Sequence, residues 1–275
     1  SVLLMSFFLG KSVIVTGSSN GIGRGTAVLF AKRGAKVTIT GRNAVALKET
    51  KLLCRDAGAA DADILDVLGD ITDDTFCAKL VAATVNEFGK LDVLVNNAGG
   101  AGDYSKFDKP IEEIPLTDLD KMLDLNLKQV LRISQRAVPH LEKTKGAIVN
   151  LTSIGAQLRL SGMPFYSAAH SALDQITVQL AGSLIKKGIR VNSVSPGPVL
   201  TNFAIAAGAS EAISAKMFAD MAKSSPNPQA KAGTPEDIAK VILFLADRSQ
   251  SEIIVGHILT ADGGVSLKNP LFPDV

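Results

Sequence analysis

The chain has 275 residues, 46% of them hydrophobic, which suffices for a full core and excludes a disordered polypeptide. A formal net charge of +2 is too small to indicate nucleic-acid binding, and no apolar run is long enough to cross a bilayer. Cys54 and Cys77 form no CxxC pair and read as buried free thiols in a reducing, cytoplasmic compartment. The three histidines, His140, His170 and His257, lack metal-ligand spacing, so no metal is expected.

The first ten residues mimic a signal core but lack a basic leader, and Met5 reads as a natural start. Residues 1–9 are therefore expected to be an N-terminal extension. Ser12–Thr16 is a β-branched run, followed by a glycine-rich turn and a helical stretch from Thr26 to Arg33. Residues 34–40 read as a second strand, 44–57 as a helix, 64–68 as a third strand and 73–88 as a helix. A fourth strand is expected over 91–95, and apolar positions at helical spacing continue from Thr117 to Leu141. A fifth strand covers 147–151, a helix 165–186 and a sixth strand 190–194. Thr234-Pro235-Glu236-Asp237 carries the cap, proline and early acids of a helix start, and 258–261 is a seventh strand.

Strands alternating with helices predict an α/β fold, a doubly wound sheet of seven mainly parallel strands flanked by helices. No linker or repeat divides the chain, so 1–275 is expected to be one domain. Residues 202–232, rich in Ala, Ser and Lys, read as a lid on the substrate side; 268–275 form an unassigned tail.

Gly17-Ser-Ser19-Asn20-Gly21-Ile22-Gly23 lies between a strand and a helix, the context of a dinucleotide-binding turn. Its glycines let backbone N–H groups approach a pyrophosphate at a helix N-terminus. The second strand ends in Thr40-Gly41-Arg42, where an acid would bond a ribose 2′-hydroxyl. A guanidinium there pairs instead with a 2′-phosphate, with Ser19 and Asn20 adding hydrogen bonds, which predicts NADP(H). Further along, Ser153 follows an apolar strand, Tyr166 comes 13 residues later, and His170 lies one helical turn beyond Tyr166. A phenol beside a titratable ring is a candidate proton-transfer device.

The spacing of these motifs resembles the short-chain dehydrogenase/reductase family over nearly the whole chain. The resemblance implies a Rossmann-type fold, a homotetramer built through the helices at 117–141 and 165–186, and a small carbonyl or alcohol substrate. It implies that Asp70 and Ile71 hold the adenine, that Asn97, Ala98 and Gly99 line the ribose, and that Pro196, Gly197, Val199 and Thr201 place the carboxamide and pyrophosphate. It further implies that Ser153 polarises the substrate carbonyl, Tyr166 transfers the proton, and Asn126 seats a relay water. The family has a lysine four residues after this tyrosine; here the position holds His170, and no lysine occurs between Lys145 and Lys186. His170 admits three readings: a weaker substitute for lysine, the mark of a nucleotide-binding protein that no longer turns over, or a passenger or sequence error. The expected function is a slow NADP(H)-dependent oxidoreductase. The alternative is an inactive nucleotide-binding protein with a regulatory or partner-subunit role.

Overall fold

A computed structural model describes residues 7–107, 109–158, 160, 162–224 and 232–267. The expectations for residues 1–6, the middle of the lid (225–231) and the tail (268–275) lie outside them. Seven strands form one sheet: β1 (Ser12–Val15), β2 (Lys36–Gly41), β3 (Ile64–Leu68), β4 (Val93–Asn96), β5 (Ala147–Leu151), β6 (Arg190–Pro196) and β7 (Ile258–Ala261). Their order is β3-β2-β1-β4-β5-β6-β7, and every neighbouring pair is parallel. The sheet is thus wholly parallel, where the sequence predicts a mainly parallel one.

The central strands are buried at every position, as parallel strands covered on both faces must be. Strand alternation divides their side chains between two cores. Val13, Val15, Val93, Val95 and Val149 join one apolar cluster, while Ile14, Leu94 and Ile148 join the other. The first cluster is covered by α1 (Gly21–Lys32), α2 (Ala44–Asp56) and residues of a late helix, Pro235–Ala246. The second is covered by α3 (Asp74–Phe88) and by Ile133, Ala137 and Leu141 of a long rod.

That rod departs from the single helix predicted over 117–141. It comprises α4 (Leu116–Leu123), a π-helical turn (Asp124–Lys128) and α5 (Gln129–Thr144). Hydrophobic periodicity carries straight through a π turn, so the local widening is invisible to it. Beyond it lie α6 (Pro164–Leu184), the short α7 (Phe203–Ala206), α8 (Glu211–Ser224) and α9 (Pro235–Ala246). The predicted start of α9 is a full capping box: the Thr234 hydroxyl accepts from Asp237 N–H, and the Asp237 carboxylate accepts from Thr234 N–H. Among the described residues no helix is long and apolar enough to cross a membrane.

One glycine in α1 looks like a plain helix penalty in the sequence. A Cβ on Gly25 would stand 3.0 Å from Pro235 Cβ and 3.2 Å from its carbonyl carbon. The missing side chain therefore lets the first turn of α9 lie directly on α1. Gly25→Leu is expected to overpack this crossing and cost about 1–3 kcal/mol, read as a lowered thermal midpoint. An unchanged midpoint would show that the two helices separate without loss.

Candidate active site

Strand order reverses between β1 and β4, and the segments leaving their C-terminal ends form the crevice where open α/β sheets bind ligands. The glycine turn and the 97–99 segment meet there. The Thr16 hydroxyl oxygen accepts from the N–H groups of both Asn97 and Ala98, each at 3.0 Å. In return the Asn97 amide donates to the carbonyls of Thr16 (2.8 Å) and Gly17 (3.2 Å). Gly17 has φ +64°, and a Cβ on it would lie 2.8 Å from Ala98 Cα. A Cβ on Gly23 would lie 2.4 Å from both Asn97 Nδ2 and the Gly17 carbonyl oxygen. Only glycine fits at either position.

Helix α1 then starts without a side-chain cap, since Asn20 makes no capping bond and the first turn holds no acid. Its positive end is left for an anion. Nearby, the Ser19 hydroxyl is buried without a partner, against the backbone of Gly41. Arg42 is well exposed at the end of β2 and stands 3.8 Å from Asp70. The other Asp70 oxygen accepts from the N–H (2.9 Å) and hydroxyl (2.8 Å) of Thr72, and these bonds draw its pKa down. Ile71 is buried in the core below. The glycine cradle, the uncapped helix start and the orphaned Ser19 hydroxyl fit a dinucleotide phosphate.

Across the crevice, β6 runs on through Pro196. The Gly197 N–H bonds the Ala261 carbonyl at 3.1 Å, and Val199 bridges Gly233. The Thr201 hydroxyl accepts from Phe203 N–H, while its methyl end closes on Gly21. Asp262 caps the turn beyond β7 by accepting from Gly264 and Ser266 N–H groups.

Ser153 sits two residues past β5. Its oxygen accepts from Gly155 N–H at 3.1 Å, and its hydroxyl faces the Tyr166 phenol closely enough to lower the phenol's pKa. Tyr166 lies in the first turn of α6, which begins at Pro164. Burial pushes the phenol's pKa up, and the Ser153 hydroxyl only partly opposes this. His170 packs on Tyr166 with ring centroids 4.3 Å apart. It is buried, its Nδ1 has no partner, and burial pushes its pKa down to about 4. The ring is therefore neutral at physiological pH.

Asn126 stands in the π turn. Its oxygen accepts from Gly100 N–H (2.9 Å), and its amide donates to the carbonyls of Gly100 (3.0 Å) and Met122 (3.2 Å). The Met122 carbonyl sits one turn earlier, so the side chain takes over an acceptor where the ladder widens. Gly99 lies against Asn126, where a Cβ would come within 2.8 Å of its oxygen.

Over Tyr166 the segment around α7 and the post-β4 loop meet. Phe203 stands edge-on to Tyr166 at 5.8 Å, and the Tyr104 N–H donates to the Ala207 carbonyl at 2.8 Å. Beside them is a cleft of about 240 Å³, lined by Tyr166, Met163, Phe107 and Met122 and edged by Lys106 paired with Asp118. The structure thus brings Ser153, Tyr166, His170 and α7 together, and it joins the glycine turn to the 97–99 segment. Sequence reasoning missed Thr16, which ties those two motifs, and Asn150, which accepts from the Asn96 amide (2.8 Å) and donates to Thr177 on α6 (2.9 Å). It also missed Asp174, two turns beyond Tyr166. All three are polar residues in buried segments, the one signal that could have marked them.

A family model described as enoyl-(acyl carrier protein) reductase, of the short-chain alcohol dehydrogenase C2 type, matches residues 17–266. A Caenorhabditis elegans short-chain dehydrogenase/reductase of unknown function, solved with cofactor, is 43% identical with a TM-score of 0.93, covering 98% of this chain and 100% of its own. A 7α-hydroxysteroid dehydrogenase solved with NADH and 7-oxoglycochenodeoxycholic acid is 31% identical with a TM-score of 0.83, covering 94% of this chain and 96% of its own. An Arabidopsis thaliana chloroplastic NADPH-dependent aldehyde reductase is 32% identical, covering 93% of this chain and 86% of its own. The chain belongs to the short-chain dehydrogenase/reductase family.

The depressed His170 pKa carries a signed consequence. Unfolded, His170 titrates near 6.5; folded, near 4, so the unfolded chain binds more protons between these values. Its contribution to stability is complete above about pH 6.5 and is lost as pH falls toward 4, on the order of 3 kcal/mol. Denaturant melts of wild type and His170→Gln across pH 4–7.5 isolate this from Asp174, whose raised pKa acts in the opposite sense. Parallel pH dependences in the two proteins would mean that His170 is not held neutral.

Proposed function

We propose that this protein is an NADP(H)-dependent oxidoreductase that reduces a carbonyl, or oxidises the corresponding alcohol, on a small molecule. The observation that carries this reading is the buried Ser153–Tyr166 pair beside the cleft, at the same sheet edge as the glycine cradle. Its relatives include an NADPH-dependent reductase and a dehydrogenase solved with NADH, so the choice of nucleotide rests on Arg42, with no acid in its place and an unpartnered Ser19 hydroxyl nearby. Gly17, Asn20, Gly21, Ile22 and Gly23 would hold the pyrophosphate, Asp70 and Ile71 the adenine, and Asn97, Ala98 and Gly99 the ribose. Pro196, Gly197, Val199 and Thr201 would border the nicotinamide. When bound, this cofactor supplies or takes the hydride.

The chain's own groups handle the proton. Ser153 already accepts from Gly155, which leaves its O–H to donate to a phenol or substrate oxygen. Tyr166, kept protonated by burial, is poised as the donor to a carbonyl oxygen, so reduction is the favoured direction at neutral pH. Asn126 holds the Gly100 backbone against the site. The lid, 202–232, covers the substrate, and we read the whole chain as one domain that assembles as a cytoplasmic homotetramer.

His170 stands where the family has lysine, and we read it as a weaker substitute. A neutral ring lends no positive charge to the phenol, so tyrosinate for alcohol oxidation is scarce and turnover is slow. The same neutrality favours the second reading, a nucleotide-binding protein without turnover.

NADPH oxidation driven by an aldehyde or ketone is expected in wild type and reduced by about 10²–10⁴-fold in Tyr166→Phe. Persistent turnover in that variant would remove Tyr166 as donor. His170→Lys is expected to raise turnover, most of all for alcohol oxidation; no gain despite intact NADPH binding supports the inactive binder. Arg42→Ala is expected to weaken NADPH about 10-fold while sparing NADH, measured by cofactor fluorescence. Equal losses for both nucleotides would refute the 2′-phosphate assignment.

A further inference from the structure

Helix α6 carries Tyr166, His170 and Asp174 at successive four-residue steps, which places them along one helix face. Two polar atoms in this row are buried without a partner: Nδ1 of His170 and Oδ1 of Asp174. Leaving such an atom unpaired costs about 1–3 kcal/mol, so two in adjacent turns call for a joint explanation. The Asp174 carboxyl faces the side chains of Thr152 and Gln157, which flank the Ser153 turn and lower its pKa against the larger effect of burial. Ser171, between the two, donates to the Ala156 carbonyl of that turn at 2.7 Å. Asp174 thereby lies against the turn that carries Ser153. It is also half-buried where Tyr166 and His170 are buried, so the row runs from the site toward solvent.

We propose that Asp174 is a positioning residue for His170: it selects which imidazole nitrogen carries the proton and completes a proton path from solvent to Tyr166. This rests on the oxidoreductase reading above. Reduction leaves tyrosinate once Tyr166 has given its proton to the substrate oxygen, the nicotinamide having supplied the hydride. An imidazole N–H of His170 breaks as the Tyr166 O–H re-forms. The other ring nitrogen takes a proton from a water held by the Asp174 carboxyl, and the hydroxide left behind passes to solvent. Each transfer breaks one bond to hydrogen and makes one, and the ring ends neutral in its other tautomer. The transfers pass directly or through one water. Burial supports this form of relay, since it disfavours the imidazolium of His170. No positive charge is then needed where the family's lysine would supply one.

The test follows the tautomer of His170 by long-range ¹H–¹⁵N correlation at neutral pH, in a protein with only three histidines. In Asp174→Asn, the His170 nitrogen shifts are expected to move while those of His140 and His257 stay. Asp174→Ser serves the same purpose should the amide not be accommodated. An unchanged His170 pattern in the folded variant overturns the proposal. The kinetic arm measures carbonyl reduction by NADPH: kcat is expected to fall at least ~10-fold with an enlarged solvent isotope effect, while NADPH affinity holds. In a His170→Lys background the same Asp174 change is expected to have little effect on kcat. An unaltered kcat and isotope effect in Asp174→Asn overturns the relay. If wild type binds NADPH yet reduces no carbonyl, the oxidoreductase reading falls, and the His170 spectrum still decides whether Asp174 governs the ring.

Discussion

Everything at the sheet edge depends on β1 and β4 lying side by side, because this adjacency lets the Thr16 hydroxyl oxygen accept from two successive N–H groups, those of Asn97 and Ala98. The contact is short, buried and reciprocated by the Asn97 amide. It draws the chain leaving β4 onto the glycine turn so closely that Gly17 and Gly23 have no room for a side chain. Asn96, one residue earlier, extends the tie through Asn150 to Thr177 on α6, the helix that carries Tyr166. A buried ladder of amides and hydroxyls thus couples the glycine turn to the helix that carries Tyr166, and networks of this kind set geometry more than they add stability.

Burial, rather than charge, governs the acid–base character of the site. Tyr166 and His170 are buried together beside Phe203, and no cation lies among the groups that set their pKa values. Desolvation alone raises a phenol and lowers an imidazole, so both groups are neutral across a wide pH range. A neutral pair donates and relays protons without separating charge, and it gives no help in generating tyrosinate. The buried His170 ring leaves Tyr166 beside a neutral partner.

The elements themselves were legible in the sequence because their signals are local. Ile64–Leu68, Ala147–Leu151 and Ile258–Ala261 coincide with the predicted strands, and the Thr234 capping box falls on its signature. Signals that depend on a distant partner were not legible. Gly25 is a mild helix defect until Pro235 is placed beside it, and the π turn at Asn126 arises where that side chain reaches across to Gly100, 26 residues away. Asp174 passes for a surface acid on an amphipathic helix until Thr152 and Gln157 are brought against it.

By itself the sequence determined the class of fold, the glycine turn, and the spacing of Ser153, Tyr166 and His170, since periodicity, turn chemistry and helical pitch all act within a few residues. Tertiary structure decided the strand order and the meeting of the glycine turn with Asn97. It also decided the burial that holds His170 neutral and that leaves two polar atoms on α6 without partners. Those properties belong to pairs of segments far apart in the chain, and they exist only once packing has removed the water between them.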